Sequence, residues 1–157
     1  MKIIFLDIDG VLNSEEDLTN NVGLLWDVND LNIKYIILLN EIIKATNAKV
    51  VISSTWRIIH PFDKIEKMML KKGFVGEVIS QTVLLSRTPD GVIQDRGDEI
   101  NLWLKDNDIE SFLILDDTPY EGIIKHFSNQ FLYIKDSVGL HTEHVNEAIS
   151  ILNEDLS

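Results

Sequence analysis

Short apolar runs alternate with longer segments of helical periodicity along the whole chain. The first run, Lys2-Ile3-Ile4-Phe5-Leu6, goes straight into Asp7-Ile8-Asp9-Gly10. An apolar run of this length closed by Asp and Gly predicts a strand buried on both faces, as in the middle of a parallel sheet. Alternation along an extended chain directs Asp7 and Asp9 to one side and Ile8 to the other. Gly10 allows a sharp turn and leaves room for a ligand. Lys49-Val50-Val51-Ile52 predicts a second strand, Val78 and Ile79 a short third, Phe112-Leu113-Ile114-Leu115 a fourth, and Phe131-Leu132-Tyr133-Ile134 the last.

Between these runs the period changes. Ile36, Leu39 and Ile43 share one helical face, with Asn40, Glu41 and Lys44 opposite. Ile65, Met68 and Met69 form the stripe of a helix stopped at Gly73. Gly97 to Lys105 turns Ile100, Trp103 and Leu104 inward, and Tyr120, Ile123, Ile124 and Phe127 repeat at helical spacing. Thr142 is the expected N-cap of a final helix with Val145, Ile149 and Leu152 inside. The polar stretch from Asn13 to Asn32 reads as a loop or flap with a short helical turn. It leaves the first strand beside Asp7 and Asp9 and so overhangs them. Its Trp26 can stack on a substrate ring. Filling a gap under the loop is the stronger expectation, since a large aromatic gains most from burial. Ser86 to Asp95, with Pro89, Asp90 and Gly91, is a turn-rich loop. Alternating strands and helices predict an α/β fold: a Rossmann-like parallel sheet sandwiched by helices. With no internal repeat, linker or low-complexity tract, residues 1–157 read as one domain.

Composition narrows the function classes. The chain has no cysteine, which excludes disulfides, thiolate metal sites and a Cys nucleophile. No stretch is long and apolar enough to span a bilayer, and no leader precedes the first strand. A cytoplasmic protein without a membrane partner is therefore expected. The net charge of -12, from 14 basic and 26 acidic residues, opposes tight sequence-independent binding to a nucleic-acid backbone. It leaves room for a local basic pocket. It also suits a protein that holds a divalent cation, although an acidic surface commonly serves solubility alone.

Three apolar runs end in polar clusters: Asp7-Ile8-Asp9, Ser53-Ser54 and Asp116-Asp117. In a parallel sheet such ends share one edge, and the crevice beyond that edge is where ligands bind. Carboxylates there need a metal, a cation or a raised pKa to compensate their charge. The groups suit phosphoryl transfer. A carboxylate can attack phosphorus, and a second acid can protonate the leaving oxygen and then activate water. A hydroxyl can hold a phosphoryl oxygen, a cation can neutralise the spreading charge, and further carboxylates can hold Mg²⁺.

On these residues the chain resembles the haloacid dehalogenase-like (HAD) superfamily of phosphohydrolases. Asp7-Ile8-Asp9-Gly10-Val11-Leu12 looks like its first motif, Ser53 or Ser54 its second, Arg96 its third by position, and Asp116-Asp117 its fourth. The resemblance implies that Asp7 is the nucleophile and a Mg²⁺ ligand. Asp9 is the implied general acid/base, with its main-chain carbonyl on the metal. Ser53, preferred because it directly follows the strand, holds the phosphoryl group. Arg96 stabilises its charge, and Asp116 and Asp117 complete the metal site. The third motif is more often Lys; the Arg fork here is not equivalent to it. Ser-Ser-Thr-Trp-Arg at 53–57, Arg-Gly-Asp-Glu-Ile at 96–100 and Ile-Leu-Asp-Asp at 114–117 look more closely like the HAD domains of Swiss army knife RNA-repair proteins. In end-healing phosphatases of the superfamily an Arg just after the second-motif hydroxyl touches phosphate. Arg57 is thus a second phosphate candidate; its alternative is a surface pair at a helix start. No gap in the chain would house a large cap domain, so the implied site is open and admits bulky substrates.

The implied activity is a Mg²⁺-dependent phosphatase working through a phospho-aspartate. Its substrate would be a nucleotide, another small phosphomonoester or a nucleic-acid 3′-phosphate. A receiver-like phosphoacceptor and a catalytically silent binding module are the alternatives. Receivers carry the acidic pair early and lack the base that Asp9 supplies. His141, Glu143 and His144 lack an evident third metal ligand, Trp56 and Trp103 read as core, His60 is uninformative, and Arg87 lies in a loop. Oligomeric state is left open.

Overall fold

A computed structural model describes residues 1–20, 23, 26–85 and 94–154. Five strands, β1 (Lys2–Leu6), β2 (Lys49–Ile52), β3 (Val78–Gln81), β4 (Ser111–Asp116) and β5 (Phe131–Tyr133), form one sheet in the order β3-β2-β1-β4-β5. Every pairing is parallel, with Leu6 aligned to Ile52 on one side and to Leu115 on the other. The helices are α1 (Glu15–Asn20), α2 (Ile33–Thr46), α3 (Phe62–Lys71), α4 (Arg96–Lys105), α5 (Glu121–Phe127) and α6 (Thr142–Asn153). Short 3₁₀ helices cover Val28–Asp30 and Thr55–Ile58. The α/β sandwich and its strand positions agree with the hydrophobic pattern.

Strand alternation sorts the core into two layers. Ile4 and Leu6 face a cluster with Ile36, Leu39 and Ile42 of α2, Ile65 and Met69 of α3, and Val145 and Ala148 of α6. Ile3 and Phe5 face the other way, onto Ile100 of α4 and Ile123 and Phe127 of α5. Phe5 meets Trp103 and Phe112 edge-on, at centroid distances of 5.4 and 5.8 Å. With both faces covered, the central strands are apolar throughout, as the unbroken runs require. No span between consecutive elements is long enough for a cap domain; the longest covers residues 82–95.

Several expectations change in detail. Asn40 is buried: its amide donates to the Gly73 carbonyl and its oxygen accepts from the Val75 N–H, stitching α2 to the turn before β3. Ile124 is exposed, because α5 is only seven residues long and rests on one stripe. Thr142 is the first residue of α6, and His141 holds the N-cap position, its N–H bonded to His144 Nδ1 at 2.9 Å. That bond gives the two histidines a structural use at a helix start. Trp103 is half-buried and donates to Ser80 Oγ. Residues 86–93 of the expected turn-rich loop, Arg87 among them, lie outside the described residues.

The order 3-2-1-4-5 reverses direction beside β1, so the crevice for a ligand opens beyond the carboxyl ends of β1 and β4. α4 reaches that crevice because it crosses α5 on glycine. A Cβ on Gly97 would lie 2.2 Å from the carbonyl carbon of Gly122. Asp95 clasps the same crossing, accepting from the Gly97 and Asp98 N–H groups and from the Gly122 N–H. Gly97→Ala is expected to cost about 1–3 kcal/mol, the usual penalty of overpacking. Urea unfolding measures it; an unchanged midpoint would show that the two helices can part freely.

Candidate active site

Asp7 follows the last residue of β1, and its N–H donates to the Leu115 carbonyl, which continues the ladder into the crevice. Asp116 is the last residue of β4 and fully buried; Asp117 comes next. One carboxylate oxygen from each of Asp7, Asp116 and Asp117 lies within 4.8 Å of the others. Gly10, at φ 81°, passes so close to Asp117 that an added Cβ would lie 2.3 Å from Asp117 Oδ2. The glycine after the first acidic pair is thus needed both for its backbone angle and for the room it leaves.

Arg96, in the first turn of α4, enters this cluster from the side. Its Nη1 lies 2.6 Å from Asp116 Oδ2 and 3.2 Å from Asp7 Oδ1, and its guanidinium stands over the Tyr120 ring at 5.0 Å. Burial opposes the charge of Arg96, but Asp7 and Asp116 more than offset it and hold the group protonated. Burial raises Asp7, and repulsion from Asp117 adds to it against the pull of Arg96. Asp116 is raised to about 7 by burial and by Asp7, again against Arg96. Three ionised carboxylates beside one guanidinium leave a formal excess of two negative charges. Like charges ~4 Å apart repel by about 4 kcal/mol at an effective dielectric of 20. A divalent cation bound by oxygen is the compensation this donor set fits.

Asp9 stands apart from that cluster. Its Oδ1 accepts from Asn13 Nδ2 and from Trp56 Nε1, both at 3.0 Å, and its Oδ2 accepts from Trp26 Nε1 at 3.2 Å. Burial raises its pKa, while the Asn13, Trp56 and Trp26 donors work in the other direction. Trp56 is fully buried, as expected of core, yet its indole also serves Asp9. Trp26 packs against the core and is half-buried, so it does fill space under the loop, but its N–H points into the site. His60 is tied to the same loop through the Trp26 carbonyl at 2.8 Å.

Both serines of the second cluster are buried. Ser54 lowers the pKa of Asp7, and its hydroxyl accepts from the Trp56 N–H. Ser53 Oγ is buried without a hydrogen-bond partner. The chain leaves its extended path right after β2, where Ser54 caps a 3₁₀ helix. Arg57 is buried and so is not a surface pair. Its Nη1 donates to the Ser53 and Ser54 carbonyls, and its Nη2 makes an ion pair with Glu99 in which both side chains are buried. Glu99 Oε1 accepts from the Leu85 N–H at 3.0 Å. Glu99, Asn13 and Asp95 were not singled out from the sequence. Glu99 and Asp95 flank Arg96 in the chain, but only the tertiary fold supplies their partners.

The family model for the HAD domain in Swiss Army Knife RNA repair proteins matches residues 3–145. The chain belongs to this family. The match runs from β1 into α6 and includes all the residues above. No curated protein and no solved structure matches the chain. Membership points to a phosphohydrolase of the HAD type, on a small HAD-like domain without a cap. Among the described residues of this HAD domain, no helix is long and apolar enough to cross a membrane.

Removing one partner of the buried Arg57–Glu99 pair should cost about 3–5 kcal/mol, because the other charge is left uncompensated. Replacing both with Met should cost less than either single change. A double-mutant cycle in urea would test this, and additive losses would show that the pair does not act as a unit.

Proposed function

We propose that this HAD domain is a Mg²⁺-dependent phosphatase that carries the phosphoryl group on Asp7. The observation that supports it is the meeting of Asp7, Asp116 and Asp117 around one point, with Arg96 paired to the first two. Asp7, Asp116, Asp117 and the main-chain carbonyl of Asp9 would hold Mg²⁺. When bound, Mg²⁺ would neutralise charge on the phosphoryl oxygens.

The protein groups divide the remaining work. One oxygen of Asp7 attacks phosphorus, forming the Asp7–phosphorus bond as the bond to the bridging oxygen breaks. Asp9 gives its proton to that bridging oxygen as the alcohol departs. Asp9, now a carboxylate, takes a proton from water, whose oxygen attacks phosphorus and returns Asp7 to a free carboxylate. Arg96 steadies Asp7 and the equatorial oxygens, and Ser53, whose buried hydroxyl has no protein partner, or Ser54, which acts on Asp7, holds one of them. Arg57 serves by fixing the turn that carries both serines. The substrate is a phosphomonoester. With no cap over the crevice, nucleotides and nucleic-acid 3′-phosphates both belong to the class, and the RNA-repair family favours a nucleic-acid end.

Phosphate release from an aryl phosphate should require Mg²⁺. It should fall by at least about 10²-fold in Asp9→Asn, the range for loss of a general acid, and become undetectable in Asp7→Asn. A phospho-Asp7 that persists without turnover would favour the receiver reading instead. Mg²⁺ with beryllium fluoride should raise the melting temperature, and no shift would speak for a silent module. A screen of nucleotides, sugar phosphates and 3′-phosphorylated oligonucleotides would name the substrate.

A further inference from the structure

Three donors reach Asp9, and they are not equally rooted. Asn13 is fully buried, and its own oxygen accepts from the Gly10 N–H at 2.8 Å. Trp56 is fully buried, and its main chain is held by Ser54. Together these two fix Oδ1. Oδ2 has Trp26 alone as its donor among the described residues, and Trp26 is half-buried, on a loop. Oδ2 is therefore the oxygen able to change partner. A general acid must come within about 2.6–3.2 Å of the oxygen it protonates. The Trp26 indole nitrogen occupies such a position now, at 3.2 Å.

The main chain of Trp26 cannot easily withdraw. It sits at φ 61°, a left-handed angle uncommon for a bulky residue. His60 Nε2 holds its carbonyl, and the next residue, Asp27, closes a capping box with Asp30. When a bridging oxygen takes the place beside Oδ2, the indole has to yield by turning its side chain. The ring then stays at the mouth of the site, against whatever is attached to that oxygen. We infer that Trp26 is the residue on which the leaving group packs, so that the site selects phosphomonoesters whose leaving group carries a flat ring. This rests on the phosphatase reading above, and it narrows the substrate class to ring-bearing alcohols such as nucleosides.

Benzylphosphonate and ethylphosphonate test it, because both keep the phosphoryl group, neither is hydrolysed, and only one carries a ring. Calorimetry with Mg²⁺ should show the unaltered protein holding benzylphosphonate about tenfold tighter, the order of one stack of a base on an aromatic side chain. Trp26→Ala should bring the ratio of the two affinities close to one, because the loss of its bond to Asp9 acts on both ligands and the loss of the ring on benzylphosphonate alone. Trp26→Phe should retain most of the preference. A ratio unchanged in Trp26→Ala would overturn the inference, as would equal loss of both ligands in Trp26→Ala and Trp26→Phe. Binding of neither phosphonate to the unaltered protein would instead bring down the phosphatase reading, and this inference with it.

Discussion

Two carboxylates buried at the ends of adjacent strands can stay in place only if a cation is brought to them. Asp7 and Asp116 end up side by side because β1 and β4 pair in register, Leu6 opposite Leu115. Nothing at the carboxyl ends of those two strands supplies positive charge. It comes from Arg96, across the sheet edge on α4, and the bond to Asp116 at 2.6 Å leaves little tolerance for where that helix begins. The crossing at Gly97 and Gly122 and the clasp made by Asp95 are therefore part of the electrostatics as much as of the packing. A wider crossing would withdraw the guanidinium and leave two acids in a desolvated crevice, an arrangement worth several kcal/mol of instability.

The two arginines near the site show how one residue type is put to different uses. Arg96 meets the two buried carboxylates at the strand ends. Arg57 pairs with Glu99 and donates to the two serine carbonyls, all within the fold. The consequence for the site is indirect but mechanical. Pinning the carbonyls of Ser53 and Ser54 fixes the 3₁₀ turn beside the two hydroxyls.

The strands were legible because burial on both faces of a parallel sheet leaves an unmistakable apolar run, and the polar clusters that follow three of them, two acidic and one of serines, marked the crevice. What escaped sequence reasoning shares a physical cause: it depends on a partner distant in the chain. Asn40 reads as the polar side of α2 until the Gly73 carbonyl and the Val75 N–H come to it. Arg57 reads as a free cation until Glu99 arrives from α4, forty-two residues later. Periodicity reports which face is buried, but not which polar group a buried face will need.

Asp7 and Asp9 carry the same side chain two positions apart, and the fold gives them opposite company. Asp7 has a guanidinium at 3.2 Å, a stabiliser of the anion whose field does not vary with the state of the reaction. Asp9 has an amide and two indoles, neutral donors that orient a carboxylate without fixing its charge. A group that must remain an anion to attack phosphorus needs the first environment. A group that must hold a proton, give it up and take it back needs the second, where neither protonation state is locked by a counter-ion. Burial raises both acids, so the distinction lies in the kind of partner that opposes burial. That difference in partners is consistent with the division of roles proposed for the two acids.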